Sequence, residues 1–214
     1  MYKKILFFSR SRYFPRKLQR NHIVREAADK HYDVIIDVGG GRSKYKKILK
    51  CNSYISTDIE DRIGDGAVVI ADANVTLPFN DATANLVICT EVLEHLHSPL
   101  NAVEEMARIL KPGGKIVLTV PFLWPEHEAP VDFYRYTQWG VTHLLTTAGF
   151  EDITLTNTNG FWTSWVCLLV SKMRSPLLAP LVFLLNLFIL LLYRFESKTL
   201  MPLGVHVTAF KPKN

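Results

Sequence analysis

Three aspartates close short apolar runs at Asp37, Asp58 and Asp72, and a triple glycine, Gly39-Gly40-Gly41, follows the first of them. Glycines at the C-terminal end of a strand permit a tight turn and let the backbone approach a ligand that a Cβ would keep away. Asp58 stands 21 residues after Asp37, where a carboxylate at the end of a second strand can accept both hydroxyls of a ribose. Taken singly, each aspartate reads equally well as a turn or helix cap. Taken with the glycine loop, the three converge on one crevice. A dinucleotide fingerprint starting at Gly39 would need a further glycine where the chain has Lys44, so a pyrophosphate is disfavoured. An acidic residue ahead of the glycines suits a cationic ligand instead.

A second group of reactive side chains lies in Pro121 to Tyr136, a stretch dense in proline, aromatic and titratable residues. His127 is the candidate general base, because an imidazole titrates close to neutral pH. Glu128 or Asp132 would orient it, and Tyr134 or Arg135 would bind an acidic or sugar group. His95 and His97 lie near Glu91 and Glu94, but H-x-H spacing does not put both imidazoles on one helix face, so no metal site is expected. Glu104, Glu105 and Arg108 read as a solvated helix face.

These residues need a scaffold that brings them to one edge. Val34 to Val38, Tyr54 to Asp58, Ala67 to Ile70, Leu86 to Thr90 and Lys115 to Val120 are short, β-branched runs bounded by turn residues, as strands are. Helix-compatible stretches cover Asn21 to Asp29, Tyr45 to Cys51 and Pro99 to Leu110, the last followed by Lys111-Pro112-Gly113-Gly114 as a helix stop and turn. A further helix over Thr137 to Ala148 precedes strands at Ile153 to Thr158 and Val205 to Phe210. The alternation predicts an α/β, doubly wound, mostly parallel sheet.

On these blocks, residues 34 to 150 resemble a class I S-adenosylmethionine-dependent methyltransferase with a type 11-like domain, of the small kind common in bacterial polysaccharide and lipid-associated pathways. The resemblance rests on Asp37-Val38-Gly39-Gly40-Gly41, Asp58-Ile59, Asp72 with Leu77-Pro78-Phe79, Thr90-Glu91-Val92-Leu93-Glu94-His95, and Arg108 to Gly114 leading into Val120-Pro121-Phe122. Ser43 stands where the family pattern has its last glycine. The resemblance implies a Rossmann-like sheet of seven strands with an antiparallel last strand, and S-adenosyl-L-methionine as cofactor. It places Gly39 to Gly41 against the methionine and ribose, Asp37 near the amino group or a bridging water, Asp58 on the ribose, and Ile59 on the adenine. Asp72 and Ala73 would meet the adenine's amine edge, with Thr90 and Glu91 flooring the pocket. It also makes the Pro121 to Tyr136 segment, with Trp124, Tyr134, Arg135 and Tyr136, a wall of the acceptor site.

With 48% hydrophobic and 21% charged residues over 214 positions, the chain can bury a core and is neither disordered nor fibrous. Its net charge of +5 is local: the first thirty residues carry nine basic and two acidic groups, or +7, leaving −2 for the rest. That asymmetry argues against nucleic acid and fits an anionic membrane surface. Cys51, Cys89 and Cys167 match no disulfide or C-x-x-C pattern, and no export signal is evident, so a cytoplasmic catalytic face is expected. The sequence divides into a basic segment with a lead-in helix (1–30), a cofactor-binding core (31–160), an apolar helical insertion (161–200) and a final strand with its tail (201–214). Within the insertion, Leu177 to Tyr193 is uncharged but marginal for a span, while Trp162, Trp165, Lys172 and Arg174 suit an interface. A helical hairpin dipping into one leaflet returns the chain to the sheet, with a buried helix or dimer interface as the alternative. The expected reaction is methyl transfer to a hydroxyl of a saccharide or lipid-linked saccharide, the alternatives being a quinone precursor or other lipid phenol, or an inactive interaction module.

Overall fold

The computed structural model describes residues 13–61, 64, 66–173, 175–197 and 201–213. Lys3, Lys4, Arg10 and Arg12 of the basic segment lie outside the described residues. Seven strands, β1 (His31–Val38), β2 (Lys50–Asp58), β3 (Val68–Ile70), β4 (Ala84–Thr90), β5 (Leu110–Pro121), β6 (Glu151–Asn157) and β7 (Gly204–Phe210), form one sheet in the order β3-β2-β1-β4-β5-β7-β6. β1 through β5 pair in parallel, and β7 runs antiparallel to both β5 and β6. The strand order reverses beside β1, which opens a crevice at the carboxyl ends of the parallel strands.

The pleat divides the core. Ile36, Val87, Ile116 and Leu118 face one side with Ala102, Val103, Met106 and Ile109 of α2 (Pro99–Ile109), whose spacing forms a helical stripe. Ile35, Leu86, Ile88 and Val117 face the other with Ile23 and Ala27 of α1 (Tyr13–Ala27). Lys115 fastens α1 to the sheet through the Glu26 carbonyl at 2.7 Å and the Glu26 carboxylate at 3.1 Å. α3 (Gln138–Thr147) is capped by Thr137, whose Oγ1 accepts the Gly140 N–H at 3.0 Å.

Three local expectations change. Tyr45 to Cys51 is one turn rather than a helix: the Ile48 and Leu49 amides both donate to the Tyr45 carbonyl, and β2 takes the chain from Lys50 by pairing with His31. Tyr45 and Leu49 are buried while Lys46 and Lys47 are exposed, so the apolar spacing that reads as a helix is met by a single turn. α2 ends at Ile109, ahead of Lys111 to Gly114, and that tetrapeptide makes no separate turn, since β5 begins at Leu110 and Gly113, at φ +72°, donates to the Lys211 carbonyl. Glu105 and Arg108 are not a solvated face. Arg108 binds the Phe79 and Leu77 carbonyls and Asp81, and Glu105 accepts from the Leu77 N–H and the Thr76 hydroxyl, which pins the β3–β4 connection to α2.

Between β6 and β7 the chain forms a hairpin of α4 (Phe161–Lys172) and α5 (Ala179–Leu192). Cys167 and Ile189 of the hairpin pack on Phe14 and Leu18 of α1 and on Leu203. Glu196 closes its base by accepting the Trp162 and Thr163 amides and the Thr163 hydroxyl, a carboxylate at a helix N-terminus where the dipole favours it. A Cβ on Gly160 would lie 2.3 Å from Glu196 Cγ, so the chain enters the hairpin through a glycine. No helix among the described residues is long and apolar enough to cross a membrane.

Candidate active site

The glycine loop is shaped by two kinds of crowding. Gly39 and Gly41 adopt φ of +65° and +46°, which L side chains rarely adopt. A Cβ on Gly40 would sit 2.3 Å from Ser56 Oγ and 2.5 Å from the Asp37 carboxyl carbon. The loop therefore lies flat on β1 and β2, held by the Gly40 N–H on the Thr57 carbonyl at 2.9 Å. Beneath it Asp37 is buried. Tyr54 donates to Asp37 Oδ2 at 2.5 Å, while Oδ1 has no hydrogen-bond partner. Burial pushes this carboxyl up to about 7, against the opposing effects of the Tyr54 hydrogen bond and the Lys44 charge.

Asp58, the last residue of β2, turns Oδ1 back to the Ile59 N–H at 2.8 Å and lies against Gly41. Ile59 is 63% exposed, an apolar face on the wall of a cavity of about 1320 Å³. Asp72 and Ala73 also line that wall. Asp72 Oδ1 accepts the Asn74 N–H at 2.9 Å, so part of this carboxylate serves the turn, as a cap would. Thr90 receives the Tyr45 hydroxyl at 3.3 Å. Glu91, at φ +54°, accepts the Thr119 hydroxyl at 2.8 Å, and Gln19 of α1 donates to the same hydroxyl at 3.1 Å. Desolvation raises the Glu91 carboxyl.

The opposite wall comes from the loop after β5. Trp124, His127 and Glu128 line the cavity. Of the two carboxylates considered as partners for His127, Asp132 is the one in contact: its Oδ2 accepts the His127 N–H at 2.8 Å and lies 3.4 Å from Nδ1. Arg135 holds Asp132 with two hydrogen bonds of 2.6 and 2.7 Å and also donates to the Trp124 and Pro125 carbonyls. The guanidinium is thus committed to the loop, and it keeps the Asp132 carboxyl far below the usual range. Tyr136 points into the core and donates to the Leu93 carbonyl at 3.0 Å, while Tyr134 reaches toward the His97 carbonyl. Neither tyrosine lines the cavity, nor do Arg135 and Asp132.

Two features escape sequence reasoning. First, His127 lies edge-on to His95, with ring centroids 4.9 Å apart, and both are next to the fully buried Glu94. Helical spacing from His95 examines only its neighbours, and His127 comes from 32 residues further on. Second, α1 roofs the cavity: Lys17, Gln19, Arg20 and Asn21 line it together with His206 of β7. A helix preceding the first strand carries no spacing signal that would assign it to the site.

The residues present fit S-adenosylmethionine. The glycine loop leaves no room for a Cβ at Gly39 or Gly40, the unpartnered Asp37 oxygen lies buried beneath it, and a buried carboxylate and a bare apolar side chain stand beside it at the end of β2. The volume exceeds the ~300–1,000 Å³ of a pocket for one ligand, leaving room for an acceptor.

Comparison with known proteins agrees. The methyltransferase domain family matches residues 36–118. A tRNA (carboxymethyluridine(34)-5-O)-methyltransferase from Arabidopsis thaliana is 33% identical over 96 residues, covering 41% of this chain and 24% of that protein. A ubiquinone/menaquinone biosynthesis C-methyltransferase from Laribacter hongkongensis is 32% identical over 120 residues, covering 48% of this chain and 49% of the other. The chain thus spans about a quarter to a half of the length of these relatives. The crystal structure of a SAM-dependent methyltransferase from Archaeoglobus fulgidus shares the fold, with a TM-score of 0.60 at 18% identity over 94% of this chain and 97% of that one. Glycine loop, strand order and the match over residues 36–118 together give this chain a methyltransferase domain with the class I S-adenosylmethionine-dependent methyltransferase fold.

Proposed function

We propose that the chain transfers a methyl group from S-adenosylmethionine to a hydroxyl of a saccharide or lipid-linked saccharide held at an anionic membrane surface, with the enzyme peripheral or monotopic on the cytoplasmic face. One observation carries the reading: the apolar hairpin leaves and rejoins the sheet at the cavity. Thr158, Asn159, Leu203 and Gly204, the residues at its two ends, line the same space as the glycine loop and His127. On the hairpin Trp162 is 64%, Trp165 60%, Leu177 90% and Phe195 87% exposed. So many exposed large apolar and aromatic side chains on one hairpin suit a surface that something covers, and tryptophan suits the lipid–water boundary. Lys17 and Arg20 of α1 bring positive charge to the cavity, suited to an anionic headgroup or phosphate-linked sugar.

The cofactor supplies an electrophilic methyl group. Asp37, Gly39 to Gly41, Asp58, Ile59, Asp72, Ala73, Thr90 and Glu91 bind and orient it, and α1 with the β5 loop excludes water. The acceptor oxygen must be held in line with the methyl group and must lose its proton; His127, oriented by Asp132, takes that proton at Nε2. A lipid phenol is the second reading, favoured by the quinone-pathway relative and by the same apolar hairpin.

Calorimetric titration with S-adenosylmethionine and its demethylated product, with NAD as control, tests the cofactor; binding of the first two alone is expected, weakened by about 1–3 kcal/mol in Asp58→Ala. No binding in a folded sample would favour an interaction module. Incubating full-length protein with radiolabelled cofactor and fractionated lipids and saccharides then identifies the acceptor. Label confined to quinone precursors or to RNA would overturn the saccharide assignment, and failure to float with anionic vesicles would overturn membrane docking.

A further inference from the structure

We propose that Glu94, His95 and His127 form a binding site for one divalent first-row transition ion, of the zinc class, opening onto the cavity. One ligand atom from each residue lies within 4.8 Å of the others. Each imidazole already has one nitrogen engaged. His95 Nδ1 is 2.5 Å from the Val131 carbonyl oxygen, and His127 Nδ1 is 3.3 Å from the Pro125 carbonyl oxygen and 3.4 Å from Asp132 Oδ2. That leaves Nε2 on both rings for a ligand, oriented by an acceptor behind, as metal-binding histidines are held.

Glu94 is the independent observation. Its side chain is wholly buried, neither carboxylate oxygen has a hydrogen-bond partner, and Oε1 lies 3.7 Å from His95 Nε2. A carboxyl buried without partners is costly, and a cation at this point removes the cost. Two imidazoles and one carboxylate are a donor set for zinc and its neighbours rather than for magnesium or calcium, which prefer oxygen. Metal–ligand bonds of about 2.0–2.2 Å require the three atoms, now within 4.8 Å of one another, to draw in to roughly 3–3.5 Å, so binding would bring His127 closer to the Leu93–His95 turn.

His95 and His127 both line the cavity, so the remaining coordination positions face the acceptor. In the loaded protein the His127 lone pair is on the metal, and the acceptor hydroxyl is activated differently: its oxygen binds the ion, its proton passes to water, and the alkoxide charge rests against the cation. The O–C bond then forms as the S–C bond breaks, leaving the demethylated cofactor. This use rests on the hydroxyl-transfer reading. Cation binding does not, so the two fail separately.

The test is titration of metal-free full-length protein with divalent cobalt, followed by visible absorption, with zinc competition. One saturable equivalent displaced by zinc is expected, with affinity lowered about tenfold or more in Glu94→Gln, His95→Ala and His127→Ala and unchanged in His97→Ala. Affinity for the demethylated cofactor, measured on each variant, reports folding. His127→Ala, on a surface loop, keeps the test usable if Glu94→Gln unfolds. No saturable cobalt band, or binding that survives in folded His127→Ala, would overturn the site. Metal binding without methyl transfer to any hydroxyl would leave the ion site standing and remove the proposed reaction.

Discussion

His22 of α1 stacks on His206 of β7 with ring centroids 4.5 Å apart and an interplanar angle of 26°, both rings buried. Arg25 donates to His22 Nδ1 at 3.2 Å, an arrangement that requires a neutral ring. Burial, helped by the Arg25 charge and against that of Glu26, lowers His22 to about 4, and burial with the His22 and Arg25 charges lowers His206 well below 6.5. Each histidine binds fewer protons folded than unfolded. Stability therefore holds above about pH 6.5 and declines as pH falls toward 4, by on the order of 3 kcal/mol for His22 alone. Urea unfolding of wild type and His22→Phe across pH 4 to 7 should show the gap closing or reversing in favour of the variant on the acid side. A constant difference would mean that the pair is not titrating.

The pair also shows where the sequence is silent. The strands, the glycine loop and Asp58 were legible because each is set by local chemistry: β-branched runs, positive φ, and a carboxylate at a strand end. The His22–His206 stack and the Glu94–His95–His127 cluster join residues 184 and 32 to 33 positions apart, and no periodicity marks them. Tyr45 to Cys51 misled for the opposite reason. Its apolar spacing satisfies a helix, but pairing of Lys50 and Cys51 with β1 outweighs the local preference. Arg135 read as a ligand for substrate because its charge is visible in the sequence, whereas the Asp132 and carbonyl oxygens that occupy it are visible only in the fold.

Asp37, whose carboxyl burial raises to about 7, should tie cofactor affinity to pH. A cationic ligand favours the ionised carboxylate, so S-adenosylmethionine should bind more tightly as pH rises through about 7 and more weakly below it. Tyr54→Phe removes the one hydrogen bond that favours ionisation. The variant should lose about 1–3 kcal/mol of stability and shift the rise in affinity to higher pH. Calorimetric Kd values from pH 6 to 9 check this, and coincident profiles for the two proteins would show that Asp37 does not face the cofactor's charge.

Arg135→Lys tests the loop that carries His127. Lysine keeps the charge but cannot make paired hydrogen bonds to Asp132 while reaching the Trp124 and Pro125 carbonyls. The loop should loosen, with turnover falling by on the order of tenfold or more through lost positioning while the Kd for S-adenosylmethionine stays near wild type. Equal losses in cofactor affinity and turnover would assign Arg135 to the cofactor wall instead.

Ser43 occupies the position of the pattern's last glycine and adopts φ of +49°, the left-handed conformation that a side chain disfavours by about 1–2 kcal/mol. Its N–H donates to the Gly40 carbonyl at 3.0 Å, so the strain is held by the glycine loop itself. Ser43→Gly relieves that strain but gives the unfolded chain more freedom, worth about 0.5–1 kcal/mol in the opposite direction. The net expectation is a gain of up to about 1 kcal/mol in stability, read as a raised denaturation midpoint at unchanged slope. Cofactor affinity should hold, because the cradle is formed by Gly39 to Gly41 and the Ser43 side chain does not line the cavity. A destabilised Ser43→Gly would mean that the hydroxyl makes an interaction stronger than the backbone strain it accompanies.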